Sequence, residues 1–533
     1  MSLLSVLIFL PLLAGVIIIA LPGSRGKQFK YITLLTVAIQ LLISAYLYLH
    51  FNPSLFTGVN AAEKFQWVER VPWISMNLGQ YGSLQIDYFV GIDGLSMPFL
   101  VLTSLVMLIA VLASWEIKAN IKGFFALFLL LDTAVMGVFS ALDFFLFYIF
   151  YELMLLPLYF LIGMWGGVRR EYAAIKFFLY TLFGSVFMLL VLIGLYFSVT
   201  DPGTGHHTFN MLAMMDPHNF SAGSIFSPGS APALLGISAR LLGFIVLFIA
   251  FAIKVPVVPL HTWLPDAHVE APTPVSIILA GVLLKIGGYG ILRVCYSIFP
   301  DAAVQCSWWI GLIGAVSIIY GGLNALAQTD LKRMIAYSSV SHMGFVLLGT
   351  ASVTPEGING AMMQMISHGF LSSMLFFLVG VLYDRVHDRQ IPNFRGLALL
   401  MPRYTAFIMI GFFASLGLPG FSAFIAEAFS LIGAFTSENV NGLLPHWMAV
   451  CGSVGILLSA CYFLWTLQRM FFGETRLMGG EQWRLALTDV NARETVALSL
   501  LTAFALLLGI MPGLALGKIN FSVLELIRLI NLK

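Results

Sequence analysis

The stretch Phe251–Gly290, FAIKVPVVPLHTWLPDAHVEAPTPVSIILAGVLLKIGGYG, decides how the rest of the chain is read. Lys254 closes one apolar run and Lys285 sits in the middle of the next. Between them lie Pro256, Pro259, Pro265, Pro272 and Pro274, with His261, Asp266, His268 and Glu270. A lysine inside a hydrocarbon-length segment costs about 2.5–3.5 kcal/mol on insertion scales, so it is rarely there without a task. Backbone broken by prolines is tolerated at that depth only where it is buried in protein or lines a wet cavity. Two lysines bracketing such a segment point to a path for a small cation.

The surrounding composition agrees. Of 533 residues, 59% are hydrophobic and only 10% charged, against roughly 25% charged in soluble proteins. Apolar runs of spanning length give an all-α polytopic membrane protein of about fourteen transmembrane helices. The runs cover 3–21, 29–50, 88–114, 121–140, 142–164, 172–198, 234–259, 272–297, 302–325, 331–351, 357–383, 404–432, 446–472 and 493–514. The first is read as a span and not a cleaved signal, because it lacks a basic leader and a small-residue cleavage site. The connections 51–87 and 199–233, rich in Gly, Pro, Asn and Ser, read as surface loops. A net charge of +2 without a basic tract excludes a nucleic-acid partner and leaves the lipid bilayer as the surrounding medium.

Charge then sets the orientation. With the N-terminus outside, 18 of the 27 Lys and Arg residues fall in inner loops, among them Arg25, Arg169, Lys332, Arg385 and Arg469. Lys64, Arg240, Arg293 and Lys533 are among those left on or near the outer side, and both termini are expected there. Helices four to eight and nine to thirteen form two five-helix sets. Each has an interrupted fourth member: helix 7 at Pro256 and Pro259, helix 12 at Gly417-Leu-Pro-Gly420. An odd number of spans per set makes the two copies inverted, an arrangement used by ion-moving transporters with a midplane site. The expected divisions are 1–120 for the first three helices, 121–300 and 301–475 for the two repeats, and 476–533 for the last helix and tail.

Several ionisable residues lie within spans. Glu152, in FFLFYIFYELMLLPLYF, faces a polar interior or stays protonated; Lys254 is its candidate cation, since buried charges survive by pairing. A carboxylate nearby favours charged lysine and burial favours neutral lysine, so moving the carboxylate switches the lysine's proton affinity. Lys285 is a second relay group. His342 and His368 are either hydrogen-bonded core groups or proton relays. His261 is a further relay candidate, Asp132 divides between relay and satisfied core, and Glu427 follows the helix 12 break toward the outward end. His261, Asp266, His268 and Glu270 match no metal-ligand spacing and read as a loop holding two half-paths together. Cys295, Cys306, Cys451 and Cys461 form no CxxC pair and are expected to be buried thiols. No flavin, nicotinamide, haem, iron–sulfur or metal ligand set is visible, so the chain is expected to carry no redox cofactor itself.

The runs FFLFYIFYELMLLPLYFLIGMWG, AFAIKVPVVPLHTWLPDAHVEAPTPVS, LAQTDLKRMIAYSSVSHMGF and GLPGFSAFIAE resemble the antiporter-like membrane subunits of proton-pumping NADH:quinone oxidoreductase, respiratory complex I. The resemblance runs from about residue 85 to residue 475 and implies a fourteen-helix fold with two inverted repeats. It implies that Glu152 and Lys254 form a switching pair, that Lys285 is the central relay and that Glu427 is the exit-side group. It places NADH, FMN, iron–sulfur clusters and quinone in partner subunits, and the chain in a bacterial inner membrane beside L-type and N-type neighbours. Those siblings usually carry lysine where Glu427 stands, and the L-type has a long C-terminal extension, whereas about twenty residues are expected after the last helix here. A subunit of a multi-subunit sodium/proton antiporter or of a membrane-bound hydrogenase is the alternative, since these share the fold.

Overall fold

The structure, a computed structural model, describes residues 2–53, 65–77, 83–229, 232–234 and 236–531. Lys64 and Lys533 lie outside the described residues. Six helices precede the first break: α1 (Leu3–Ala20), α2 (Gly26–His50), α3 (Met97–Ala113), α4 (Ile121–Ser140), α5 (Phe144–Trp165) and α6 (Arg170–Ser198). The seventh span is two pieces, α7a (Ala239–Lys254) and α7b (Trp263–Glu270), the second lying beyond the expected 234–259 run in what reads as a loop. Then come α8 (Thr273–Tyr296), α9 (Pro300–Leu326), α10 (Leu331–Ala351) and α11 (Pro355–Val386). The twelfth is again two pieces, α12a (Pro402–Ser415) and α12b (Ser422–Val440), followed by α13 (His446–Phe471), α14 (Ala492–Ile510) and α15 (Gly513–Asn531). Twelve of the described helices are long and apolar enough to cross a membrane. The protein is a multi-pass membrane protein.

The interruptions have local causes. Pro256 and Pro259 lack the N–H a helix needs and their rings clash with the preceding turn, so α7a stops at Lys254. In the twelfth span Gly417 and Gly420 take φ of 78° and 99° around Pro419, backbone that only glycine adopts at little cost. Helix α5 is interrupted at Met154, where Pro157 excludes the carbonyl of Leu153. Helix α8 widens into π-helical turns at Leu279–Leu283 and Ile291–Tyr296, and such turns free backbone carbonyls inside a helix.

Contacts at the helix ends sort into two faces. On one, Ser2 reaches Glu69, Gly94 reaches Ser522, Arg240 reaches Asp301 and Asn441 reaches Ser352. On the other, Lys30 reaches the Trp115 carbonyl, Gly167 that of Glu270, Arg389 reaches Asp330 and Arg385 reaches Glu494. Successive segments therefore run up and down. The spanning windows of α8 and α11 are wholly buried, whereas only 33% of those of α2 and α14 is. So α8 and α11, which pack directly on each other, form the centre with α10 against α11, and the outer helices present Leu35, Leu42, Phe183, Leu190 and Leu457 outward as a lipid-facing surface.

Four expectations change. The 51–87 connection is not only loop: Gln66–Asn77 (β1) and Ser83–Ile92 (β2) form an antiparallel hairpin, and the third helix starts at Met97 instead of residue 88. Leu84, Ile86, Tyr88, Val90 and Ile92 alternate with period two, a strand signal that merged with the apolar run behind it. Hydroxyls of Ser2 and Ser5 donate to Glu69 of β1 and hold its carboxyl below the ordinary value. The expected tail is the helix α15, which packs Ile519, Val523 and Leu526 inward. Only Cys295 is buried; Cys306 and Cys451 are half-buried and Cys461 is exposed, because an apolar run in a membrane protein can face lipid as readily as the core. Arg240 and Arg293, expected on or near the outer side, are not exposed there: both are buried and neutralised by Asp301 and Asp93.

Candidate functional site

Four helices bring four ionisable side chains to the centre of the bundle. Lys285 comes from the middle of α8, His368 from the middle of α11, His342 from the middle of α10, and Glu427 from the first turns of α12b. All four are buried. The Lys285 ammonium donates to the carbonyl of Ala280, which the first π-helical stretch leaves available. Its Nζ is also 2.7 Å from Nδ1 of His368. The His368 and His342 rings lie 5.6 Å apart. Nδ1 of His342 is 3.2 Å from Oε1 of Glu427, and Nε2 of Gln364 lies 3.4 Å from the same nitrogen. Beside the two histidines is a cavity of about 10 Å³, lined also by Ser338, Gln364 and Ser415, about the size a single water requires.

The α12 break is fitted to Glu427. A Cβ on Gly417 would lie 2.7 Å from Oε2 of Glu427. Glycine thus lets the opened backbone approach the carboxylate. Oε2 of Glu427 and Nε2 of His342 are buried without a hydrogen-bonding protein group. Buried polar atoms of this kind ask for a proton, a water or a moving partner.

Lys254 is the last residue of α7a, where the helix dipole favours a cation. It is fully buried, its Nζ 3.5 Å from the centre of the Tyr151 ring and 3.2 Å from Sδ of Met154. Glu152 is within electrostatic range of Lys254, but no salt bridge joins them among the described residues. The nearest contacts of the ammonium are a π face and a sulfur, both from α5. One oxygen of Glu152 is buried without a partner. The two groups sit beside each other, not in contact.

His261 is flanked by aromatic rings, 5.1 Å from Tyr320 and 6.2 Å from Tyr337. Asp132, on α4, is fully buried with the side chain of Gln40 from α2 beside it. Asp266 lies 2.7 Å from Lys176 and 3.5 Å from Arg333, tying α7b to α6 and α10. Glu270 accepts from the backbone of Arg169 at 2.9 Å. The four polar residues of the broken segment thus point to different partners. Among the described residues no group of three or more His, Cys, Asp or Glu converges as metal ligands would.

Two residues that the sequence assigns to loops are buried in the bundle. His268 on α7b is fully buried and stacked flat on Phe376 of α11, ring centres 4.4 Å apart, with neither ring nitrogen bonded to protein. It lies within electrostatic range of both Lys285 and Lys332. Lys332, counted as an inner-loop charge, is buried in the first turn of α10 and donates to the Ala271 carbonyl at 2.6 Å. It lines a polar cavity of about 340 Å³ with Glu116, Glu270, Asp384 and Arg389, on the face rich in arginine and lysine. A signal for His268 was present. Trp263, Leu264 and Ala267 share its helix stripe, so its ring had to point inward.

These features define a polytopic helical membrane protein with a buried row of ionisable groups across its middle. Residues 141–465 match the family described as NADH:quinone oxidoreductase/Mrp antiporter, TM, and the chain belongs to that family. It is 38% identical to the NADH-quinone oxidoreductase subunit M of Rhodobacter capsulatus, over 99% of this chain and 96% of that protein. It is also 38% identical to the subunit M of Rickettsia prowazekii (strain Madrid E), over 99% of each. Among solved structures, a chain of respiratory complex I from Thermus thermophilus with bound NADH superposes with a TM-score of 0.81 at 28% identity, covering 99% of both chains. A chain of the Mrp complex from Dietzia sp. DQ12-45-1b gives 0.77 at 21% identity, over 99% of this chain and 100% of that one; that likeness shows the fold alone.

Proposed function

We propose that this chain is the M subunit of an NADH:quinone oxidoreductase and moves protons across the membrane, driven by electron transfer in other subunits. The observation that carries the reading is the row Lys285–His368–His342–Glu427, whose first and last links are 2.7 Å and 3.2 Å long. Each member can hold and release a proton, and hydrogen-bond spacing is what a transfer between neighbours requires. The polar cavity at Lys332 and the unpartnered ring of His268 supply a way in from the basic face. The α12 break beside Glu427 supplies a way out. Lys254 and Glu152 lie off this row and act on it by charge: when Glu152 gains a proton or shifts, the buried Lys254 loses its counter-charge.

On this reading the two split segments also cross the bilayer, for fourteen crossings. The basic face is the cytoplasmic side of a bacterial inner membrane, and both termini are outside. Residues 121–300 and 301–475 are the two inverted half-channels, 1–120 the leading helices and 476–533 the closing helix and tail. NADH, FMN, iron–sulfur clusters and quinone belong to partner subunits, and L-type and N-type siblings flank this chain. The relatives at 38% identity favour this over an antiporter of the Mrp kind. The test is purification from membranes with an affinity tag on this chain. NADH-oxidising flavin and iron–sulfur subunits should come with it, and NADH-driven proton uptake into proteoliposomes should fall in a Glu152→Ala complex that still assembles. Co-purification with small antiporter subunits alone, or unchanged pumping by the variant, contradicts the proposal.

A further inference from the structure

On the basic face, away from the row of relay groups, the loops after α11 and after α13 meet in a two-residue antiparallel bridge. Phe394 pairs with Leu477, and Arg395 pairs directly with Arg476. Like charges directly opposite on paired strands repel, so this register is unfavourable unless something of the opposite sign sits between them. Arg469, near the end of α13, faces the same cleft with its guanidinium 4.8 Å from the Trp465 ring. Among the described residues no carboxylate forms a salt bridge with any of the three. The cleft is open, about 690 Å³, and adds Asn393 and Gln468 as further polar lining.

We propose that this cleft binds the phosphate of an anionic phospholipid of the cytoplasmic leaflet. The apolar half of such a ligand has its own seat. Val450, Val454, Leu457, Leu464 and Trp465 are exposed along α13, at spacings that place them on one stripe. From Leu457 to Gln468 that stripe rises about 16 Å, close to the half-thickness of a bilayer core, about 15 Å. An acyl chain laid on the stripe ends where the three arginines begin. Basic pockets at the cytoplasmic ends of helices are suited to lipid phosphates, arginine matches a phosphate with paired donors, and tryptophan is at home at headgroup depth. A free phosphate has no use for the stripe. Because Arg395 lies in the loop entering α12a and Arg476 in the loop leaving α13, the bound lipid also fixes the entrance of the broken helix that carries Glu427.

The test uses the whole complex in nanodiscs containing either phosphatidylglycerol or phosphatidylcholine with a diazirine in one acyl chain. After illumination, adducts are located by peptide mass spectrometry. Phosphatidylglycerol should label α13 between Val450 and Arg469 at least about fivefold more than phosphatidylcholine, the preference expected for one surface arginine. Arg395→Gln with Arg476→Gln should remove that preference, and excess inorganic phosphate should not compete. If the double variant assembles poorly, Arg469→Gln, on the helix surface outside the bridge, should lower the labelling alone. Equal labelling by both lipids, labelling insensitive to every variant, displacement by inorganic phosphate, or a neighbouring subunit cross-linked to the stripe in place of lipid overturns the proposal.

Discussion

Replacing His368 by leucine should break the central row at its best-defined link. His368 is the side-chain partner of Lys285, at 2.7 Å, and the ring that faces His342. Leucine keeps roughly the volume and removes both nitrogens. The cavity beside it, about 10 Å³, cannot take the two or more waters needed to span from the ammonium to the His342 ring. What remains to Lys285 is the Ala280 carbonyl. A hydrogen bond to a charged group contributes about 1.5–3 kcal/mol, so the transfer through this point should slow by about 10- to 150-fold. The assay is NADH-driven proton uptake into proteoliposomes at matched assembly, judged by native gel. His368→Gln, which restores an acceptor for the Lys285 ammonium but does not titrate, should assemble and not pump. Wild-type pumping by His368→Leu would refute the row as the proton route.

Tyr151→Leu removes the ring on which the Lys254 ammonium rests at 3.5 Å; a desolvated cation–π contact is about 2 kcal/mol, so pumping should drop by about 30-fold with assembly intact, read in the same proteoliposomes. Gly417→Ala places a side chain at φ 78° and 2.7 Å from Glu427, and the left-handed conformation alone costs about 1–2 kcal/mol; thermal unfolding of the purified complex should shift down and pumping should fall together. Arg293→Ala leaves Asp93 buried without its ion partner, a loss of about 3–5 kcal/mol, so the subunit should be depleted from membranes on immunoblots. Asp132→Asn should pump at the wild-type level, because Asp132 sits on α4 beside Gln40 of α2 and none of the four row groups comes from either helix.

The broken helices were legible because proline and glycine act through the backbone, and their effect does not depend on tertiary context. Pro256, Pro259 and the Gly417–Gly420 run therefore placed both interruptions within a few residues. The membrane character and the up-and-down order followed from hydropathy and from the side on which arginine and lysine collect. The partners of each buried charge were not legible. The sequence offers Glu152 and Lys254 as acid and base in separate spans, yet helix rotation sets Lys254 against Tyr151 and Met154. The contact of His342 with Glu427 depends on how α10 and α12b pack, which periodicity does not specify. His268 reads as a loop residue because a short half-helix between prolines looks like a loop until its packing face is known, and Lys332 reads as an inner-face charge because it stands at the very start of its span. The β hairpin was hidden for a related reason: its second strand is apolar and runs straight toward α3.

The most direct test of the account is the number of protons taken up per NADH oxidised by a Glu427→Gln complex in proteoliposomes. Glutamine keeps the shape beside His342 and Gly417 and cannot titrate. The expected result is assembled complex with strongly lowered proton uptake, and part of that uptake restored in Glu427→Lys. A Glu427→Gln complex that pumps at the wild-type ratio contradicts it, since the row would then end on a group that need not carry a proton.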